Sequence, residues 1–472
     1  MSLHLTSPDP EMRASWSRTL SRLPLLAYRA LRWRALRGGW LPEYLRRRRF
    51  DRRSFAPGQT IDVMVLTADH YEPAKRFGDA AAVESVRSWC AAYEKMARKH
   101  GDADGRPPQH TWFYRYDYPN RDCVQALSES VFRGFGEVEF HLHHDHDTHE
   151  TMAATLRDGV NWFGRCGAMR TAEERPRQLF GYVAGNSALD NGARDDSLSG
   201  CDTEISALRD AGCYADFTFP SLGSPAQPRK CNTHYYATED GRPKSYHNGV
   251  DVEVGRAPSG DLLLFQGPIT VDWHMGGMED GALENSSRPH PRRLAGLLAG
   301  NVHVTGRPEW IFVKTHTHAM QNRDSFLSAD MDAMYEAMET WWNRPPFRLH
   351  YVTAREAYNI VKAAEAGCSG DPNDYRDYLI PPPANRVVSC NLPWLLHSYT
   401  PERIHVEVLQ EGPARLEFAG RPLRSIAGRV REVEAEFHDG ELIGLRIEGE
   451  GPFEVDCSEG AGMESARAAY AT

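Results

Sequence analysis

Glu137-Val-Glu-Phe-His-Leu-His-His-Asp-His-Asp147 begins as an alternating strand and ends in a run of histidines and aspartates. Successive side chains of an extended chain point to opposite sides. Val138, Phe140 and Leu142 therefore share one face, and Glu139, His141 and His143 share the other. Two imidazoles at i and i+2 on one strand face can chelate a single divalent ion. His144 and His146 follow where the strand should be leaving its sheet.

Working outward, other apolar runs end in the same way. Ile61-Asp-Val-Met-Val-Leu-Thr67 leads into Ala68-Asp69-His70-Tyr71-Glu72-Pro73. Phe180-Gly-Tyr-Val-Ala-Gly-Asn186 runs on to Asp190, and Trp310-Ile-Phe-Val-Lys-Thr precedes His316-Thr-His318. Further strands are expected at 110–117, 213–219 and 347–353. Helical segments lie between them, at about 80–100, 121–132, 148–163, 203–211, 331–343 and 354–366. Strands that alternate with helices imply parallel βαβ units and an α/β fold. Residues 221–300 are richer in Gly, Pro, Asn and Asp, and read as a long insertion near the working face with short strands near 250–254 and 262–265. Gly367 to Pro383 marks a boundary. Beyond it, alternating segments at 403–409, 414–418, 430–437 and 442–447 predict a small antiparallel β module. The division is thus a basic appendage at 1–55, a main domain at 56–370, and a linker with β module at 371–472.

A chain of 472 residues can bury one large core and still carry additions. Its formal net charge is −10, yet the first 53 residues hold thirteen arginines against four acids. The body is therefore strongly acidic, which argues against nucleic-acid binding. Nine cysteines without a C-x-x-C pair read as reduced thiols in a cytoplasm. No stretch approaches the ~20 apolar residues of a membrane span. Leu23 to Leu36 is broken by Pro24 and three arginines and does not read as a secretory signal. Trp16, Leu20, Leu23, Ala27 and Leu31 recur at helical spacing with arginines between them, and Arg46 to Arg49 form a basic run. Such a helix either packs on the main domain or makes peripheral contact with an anionic membrane surface, here the inner face.

Parallel sheets and barrels place their chemistry at the carboxyl ends of the strands. If the strands close into a barrel, Asp69, His70, His141, His143, Asn186, Asp190, His316 and His318 converge there. Imidazole and carboxylate without thiolate suit Zn, Co, Ni, Mn or Fe(II) in an open site more than a structural thiolate centre. His110 opens its strand at the opposite end and reads as structural.

These motifs resemble the polysaccharide deacetylases with the NodB homology domain, carbohydrate esterase family four. More closely, they resemble the divergent glycoside hydrolase/deacetylase β/α-barrel branch. The resemblance covers roughly residues 60–366. It implies a distorted seven-stranded (β/α) barrel and one divalent metal ion, zinc in first place. Thr67-Ala68-Asp69-His70 stands where the family has T-F-D-D, so Asp69 inherits the general base and His70 can replace the aspartate ligand. His141 and His143 stand for the H-[ST]-x-x-H pair, although the spacing differs. His316 or His318 takes the place of the Leu-x-His acid, and the Arg-x-Pro-Tyr motif has no match. Asn186 and Asp190 would contact substrate. The expectation is a metal-dependent hydrolase that removes an N-acetyl or related acyl group from an amino sugar of a polysaccharide or its precursor. Two alternatives stand beside it: a metal-independent glycosidase using Asp69 and Asp190 as paired carboxylates, and a non-catalytic glycan-binding or assembly protein.

Overall fold

The computed structural model describes residues 39–73, 78–170, 179–272, 277–384, 386–400, 403–410, 414–419, 425–438 and 441–456. The helix expected over Trp16 to Leu31 and the chain end from Glu459 lie outside them. After a short helix, α1 (Leu41–Arg46), the chain enters β1 (Ile61–Tyr71), every residue of which is buried. It continues through α2 (Asp79–Ala97), β2 (His110–Arg115), α3 (Arg121–Phe132), β3 (Gly136–Leu142) and α4 (His149–Arg165). Next come β4 (Phe180–Ala184), α5 (Glu204–Asp210) and β5 (Cys213–Asp216). Residues 221–300 supply β6 (Thr233–Ala237), β7 (Gly249–Asp251), β8 (Leu262–Gln266), a β9–β10 hairpin (Thr270–Asp272, Gly277–Glu279) and α6 (Leu294–Ala299). β11 (Trp310–Thr317), α7 (Ala329–Trp342), β12 (Phe347–Tyr351) and α8 (Ala354–Glu365) complete this part.

The result is a mixed α/β architecture around one large, mostly parallel sheet. Its order is β11-β1-β2-β3-β4-β5-β8-β6-β7. β1 pairs with β11 along one edge, and its other edge is shared: Ile61 to Val65 take β12, and Thr67 to Tyr71 take β2. Only β6 runs antiparallel to its neighbours β8 and β7. The segment 221–300 is thus part of the sheet, through three strands.

Strand alternation sorts the core into two faces. Ile61, Val63 and Val65 of β1 join Val138, Phe140 and Leu142 of β3 in a cluster that also holds Trp89 of α2, Leu127 of α3 and Phe163 of α4. Met64, Leu66 and Ala68 face the other way, toward Phe113, Val183, Phe217, Phe265, Phe312 and α8. The face division expected for β3 is therefore present. Helix starts carry their own signals: Asn120 accepts from the Cys123 N–H, Ser328 from Met331, and Thr148 and Thr353 form reciprocal capping boxes.

Beyond α8, residues 376–380 are strapped to that helix. Asn359 Nδ2 donates to the carbonyls of Arg376 (2.6 Å) and Ile380 (2.8 Å), and Arg355 reaches Asp377 at 2.7 Å. The strands β13 (Arg386–Cys390), β14 (Trp394–Tyr399), β15 (Arg403–Val408), β16 (Ala414–Ala419), β17 (Ser425–His438) and β18 (Glu441–Asp456) pair in an antiparallel sheet. Its near side meets α3, where Phe132 packs on Trp394 and Tyr399 and Gln125 donates to the Tyr399 carbonyl. Of the Arg46–Arg49 run, Arg46 pairs with Glu43, and Arg47 reaches Asp251 at the end of β7. No helix among the described residues is long and apolar enough to cross a membrane.

Candidate metal centre

β3 delivers His141 and His143 to the carboxyl end of the sheet, and β1 ends one residue before Glu72. The three side chains each offer a ligand atom, all within 4.8 Å of one another. Glu72 Oε1 lies 2.8 Å from His143 Nε2 and 3.3 Å from His141 Nε2. His141 is fully buried, and its Nδ1 sits 2.8 Å from the carbonyl of Val183 on β4. A carbonyl only accepts, so Nδ1 carries the proton and Nε2 is the atom turned to Glu72. That is the usual orientation of a metal-bound histidine, whose second nitrogen is fixed by an outer hydrogen bond. Gln321 Nε2 donates to Glu72 Oε2 at 3.1 Å, and Arg115 approaches Oε1 at 3.4 Å. Burial alone would raise the Glu72 pKa, but protons on the two facing Nε2 atoms, in the place a divalent ion would take, hold the carboxylate well below its ordinary range. Burial draws the His143 pKa down, so its neutral, ligating form is favoured. Two imidazoles from the end of β3 and one carboxylate from the end of β1, across the intervening β2, with one imidazole already oriented, fit a divalent cation with open positions.

His70 lies beside this trio rather than within it. Its ring centroid is 5.1 Å from that of His141 and 4.6 Å from that of His318. Glu72 stands in the third ligand place. Asp69, on the opposite strand face, is completely buried: Oδ2 pairs with His110 Nε2 at 2.8 Å, and Oδ1 accepts the Ala319 N–H at 2.9 Å. His110 is therefore the partner of Asp69, and Asp69 joins β1 and β2 to the turn after β11.

His316 of β11 and His318, just past its end, separate clearly. His318 Nδ1 lies 2.8 Å from Glu284 Oε1. Burial lowers the His318 pKa, but the bond and charge of Glu284 overcome it and leave the imidazole above its usual value. Glu284 is positioned by backbone pairing of its segment with β11: Leu283 N–H donates to the His316 carbonyl, and His316 N–H to that of Gly281. His316 Nδ1 has no hydrogen-bond partner. Burial and then the Lys314 ammonium two residues earlier bring its pKa down to about 4.

Asn186 is exposed on a left-handed turn after β4, with φ 53°. Asp190 is buried in a different network: its N–H donates to Glu204 at 2.7 Å and its Oδ2 accepts the Ser245 N–H at 2.7 Å. Burial and then Glu239 push its carboxyl up to about 9. His144 bridges Asp147 and Glu204 in the same network. Asp69 and Asp190 thus belong to separate hydrogen-bond systems. Two other acidic–histidine groups, around His350 with Asp62 and Asp371 or with Asp102 and Asp104, lie beside the amino-terminal half of β1. There Arg348 already spans Asp62 (2.7 Å) and Asp371 (2.6 Å).

The sequence reading did not single out Glu72, Glu284, Gln321 or Arg115. The signal for Glu72 was present: His70 and Glu72 repeat the i, i+2 spacing of His141 and His143. Nothing local marks Glu284, which comes from a segment far from β11 in sequence. No family model matches the chain, and no curated protein matches it.

Proposed function

We propose that this chain is a divalent-metal-dependent hydrolase that removes an N-acetyl or related acyl group from an amino sugar, in the manner of the polysaccharide deacetylases. The observation that carries this reading is the convergence of Glu72, His141 and His143, with His141 held in the ligating tautomer by the Val183 carbonyl. These three would hold the ion, zinc first among the candidates. A divalent ion there would supply Lewis-acid polarisation of the acyl carbonyl and a lowered pKa for water.

The remaining steps fall to side chains of the chain itself. Asp69, which the resemblance makes the general base, is buried on the opposite strand face with both oxygens engaged by His110 Nε2 and the Ala319 N–H, so its role here is to position the turn that carries His318. His318, whose imidazolium form Glu284 favours, donates to the departing amine nitrogen. Its ring stands against His70, which separates it from the metal trio. Arg115, fixed by Asp117 and close to Glu72, is the cationic group best placed to face a developing oxyanion.

The barrel reading has support from backbone bonds beyond the named strands. Val254 N–H donates to the Thr305 carbonyl, Thr305 N–H to that of Val252, and Phe312 N–H to that of Val302. These bonds lead from the β7 side of the sheet back to β11. The second apolar cluster draws on β1, β2, β4, β5, β8 and β11, as the interior of a closed sheet would.

The deciding experiment is elemental mass spectrometry of purified wild type and His141→Ala, followed by acetate release from an N-acetylated oligosaccharide. One equivalent of metal in wild type, lost in the variant, and acetate release that a chelator stops are the expected results. No metal after reconstitution with zinc, cobalt, nickel and manganese would overturn the reading.

A further inference from the structure

An open cleft of about 520 Å³ lies between the loop at 191–196, past the end of β4, and the loop at 240–248, which joins β6 to β7. Arg194, Arg229 and Arg242 line it, and among the described residues their guanidinium groups make no ion pair. Lys244 adds a fourth cation; its ammonium donates to the Pro225 carbonyl and has no carboxylate partner among the described residues.

Two carboxylates also line the cleft, and both are already engaged by neutral donors. Asp196 accepts from Asn191 Nδ2 at 3.1 Å, and Asp240 accepts from the Arg242 N–H and from Ser245 Oγ, each at 3.1 Å. Four cations against two anions leave an excess of positive charge in a chain whose net charge is −10. The cations act on one volume. Burial and then Arg229, Lys244 and Arg194 bring the pKa of His247, on the cleft wall, down to about 4. Like charges gathered without partners repel one another, so the arrangement persists only because the loops are fixed. Asp190 fixes them: its carbonyl accepts the Lys244 N–H, its carboxyl accepts the Ser245 N–H, and its own N–H is anchored on Glu204. Asp190, Asn191, Arg194 and Lys244 all hold left-handed backbone, with φ of 52°, 47°, 54° and 70°. For residues other than glycine this costs free energy that the surrounding structure must offset.

We propose that this cleft binds a phosphate ester or pyrophosphate group through Arg194, Arg229, Arg242 and Lys244. Guanidinium forks match tetrahedral phosphate oxygens and form charge-assisted, paired hydrogen bonds with them. The two lining carboxylates, Asp196 and Asp240, keep their charge, so the four cations leave the lining with an excess of about two positive charges for a dianion to meet. This site stands independently of the metal chemistry proposed above.

The test is isothermal titration calorimetry of the full chain with inorganic pyrophosphate and with orthophosphate. Pyrophosphate also chelates metals, so His143→Ala serves as the control for binding at the metal centre. Saturable pyrophosphate binding is expected. It should weaken roughly tenfold or more in the Arg194→Gln/Arg242→Gln double variant and persist in His143→Ala. Both arginines are exposed, and circular dichroism checks that the double variant keeps its fold. Sedimentation with phosphatidylcholine vesicles containing phosphatidic acid identifies the source. Arginine-dependent sedimentation assigns the phosphate to a lipid headgroup, and pyrophosphate binding without sedimentation assigns it to a soluble ester. Absence of pyrophosphate binding to wild type overturns the proposal, as does binding that His143→Ala abolishes and the double arginine variant leaves intact.

Discussion

At the residue scale, His141 and Glu72 define what the centre can hold. His141 is committed on one nitrogen to Val183 and turned by the other to Glu72, so the charge of Glu72 matters more than its shape. Glu72→Gln keeps the amide oxygen but loses the anion. Divalent-ion affinity should fall about 10–100-fold, a loss of the size seen when a metal site is disturbed, as read by competition with a chromophoric chelator. Glu284 acts differently, through His318. Glu284 raises the His318 pKa, so the acid form survives to higher pH in wild type. Glu284→Gln removes that effect, and the alkaline limb of the kcat/KM profile should move to lower pH, with metal content unchanged. An unmoved limb would detach His318 from the proton step. The His-x-His pair was legible because strand alternation is a local rule. Glu72 was missed because the strand was expected to end at Thr67; it runs to Tyr71, and that extension brings Glu72 to the sheet edge.

At the element scale, the centre depends on how closely β3 and β4 approach. A Cβ on Gly185, just past β4, would fall 2.5 Å from Cγ of His143 and 2.7 Å from the Leu142 carbonyl. Gly185→Ala should therefore displace His143. The expected signature is metal affinity weakened by about tenfold or more, with a melting temperature little changed, measured by chelator competition and calorimetry. Gly159 in α4 makes the opposite kind of contact. Its Cβ would meet the Phe140 ring at 2.3 Å, inside the packing between α4 and β3. Gly159→Ala overpacks that seam and should cost about 1–3 kcal/mol of stability, read by denaturant unfolding. Helices with side-chain caps were readable at their starts: α3 matches its expected 121–132, and α8 begins one residue after Thr353. β6 was not read, because Thr233-His-Tyr-Tyr-Ala237 is short, carries two polar residues and sits among loop residues. Its strand state comes from pairing with β8, which no local pattern announces.

At the scale of the whole molecule, one buried ion pair joins distant parts of the chain. Arg355 at the start of α8 and Glu137 at the start of β3 are both about 1% exposed and meet at 2.7 Å; Arg355 also holds Asp377 in the strap. Arg355→Met leaves Glu137 buried without its cation and should cost about 3–5 kcal/mol. Glu137→Gln in the same chain should recover part of that loss, and a purely additive double variant would refute the pairing. The alternation of strands and helices made the parallel sheet legible, because βαβ units follow from local periodicity. The order of strands was not legible: placing β12 against the first half of β1 is a contact between residues almost 300 apart, and sequence patterns carry no such information. That divided edge also has a consequence during synthesis. β1 emerges from the ribosome early, yet the partners of its apolar first half, β11 and β12, end as late as Tyr351. At roughly 5–20 residues per second, the intervening ~280 residues take tens of seconds to translate. Through that interval the nascent chain carries Ile-Asp-Val-Met-Val-Leu with both edges bare, a segment ready to pair with a neighbouring chain. A holdase that binds extended apolar peptides has its natural client window here, closing only when β12 leaves the exit tunnel.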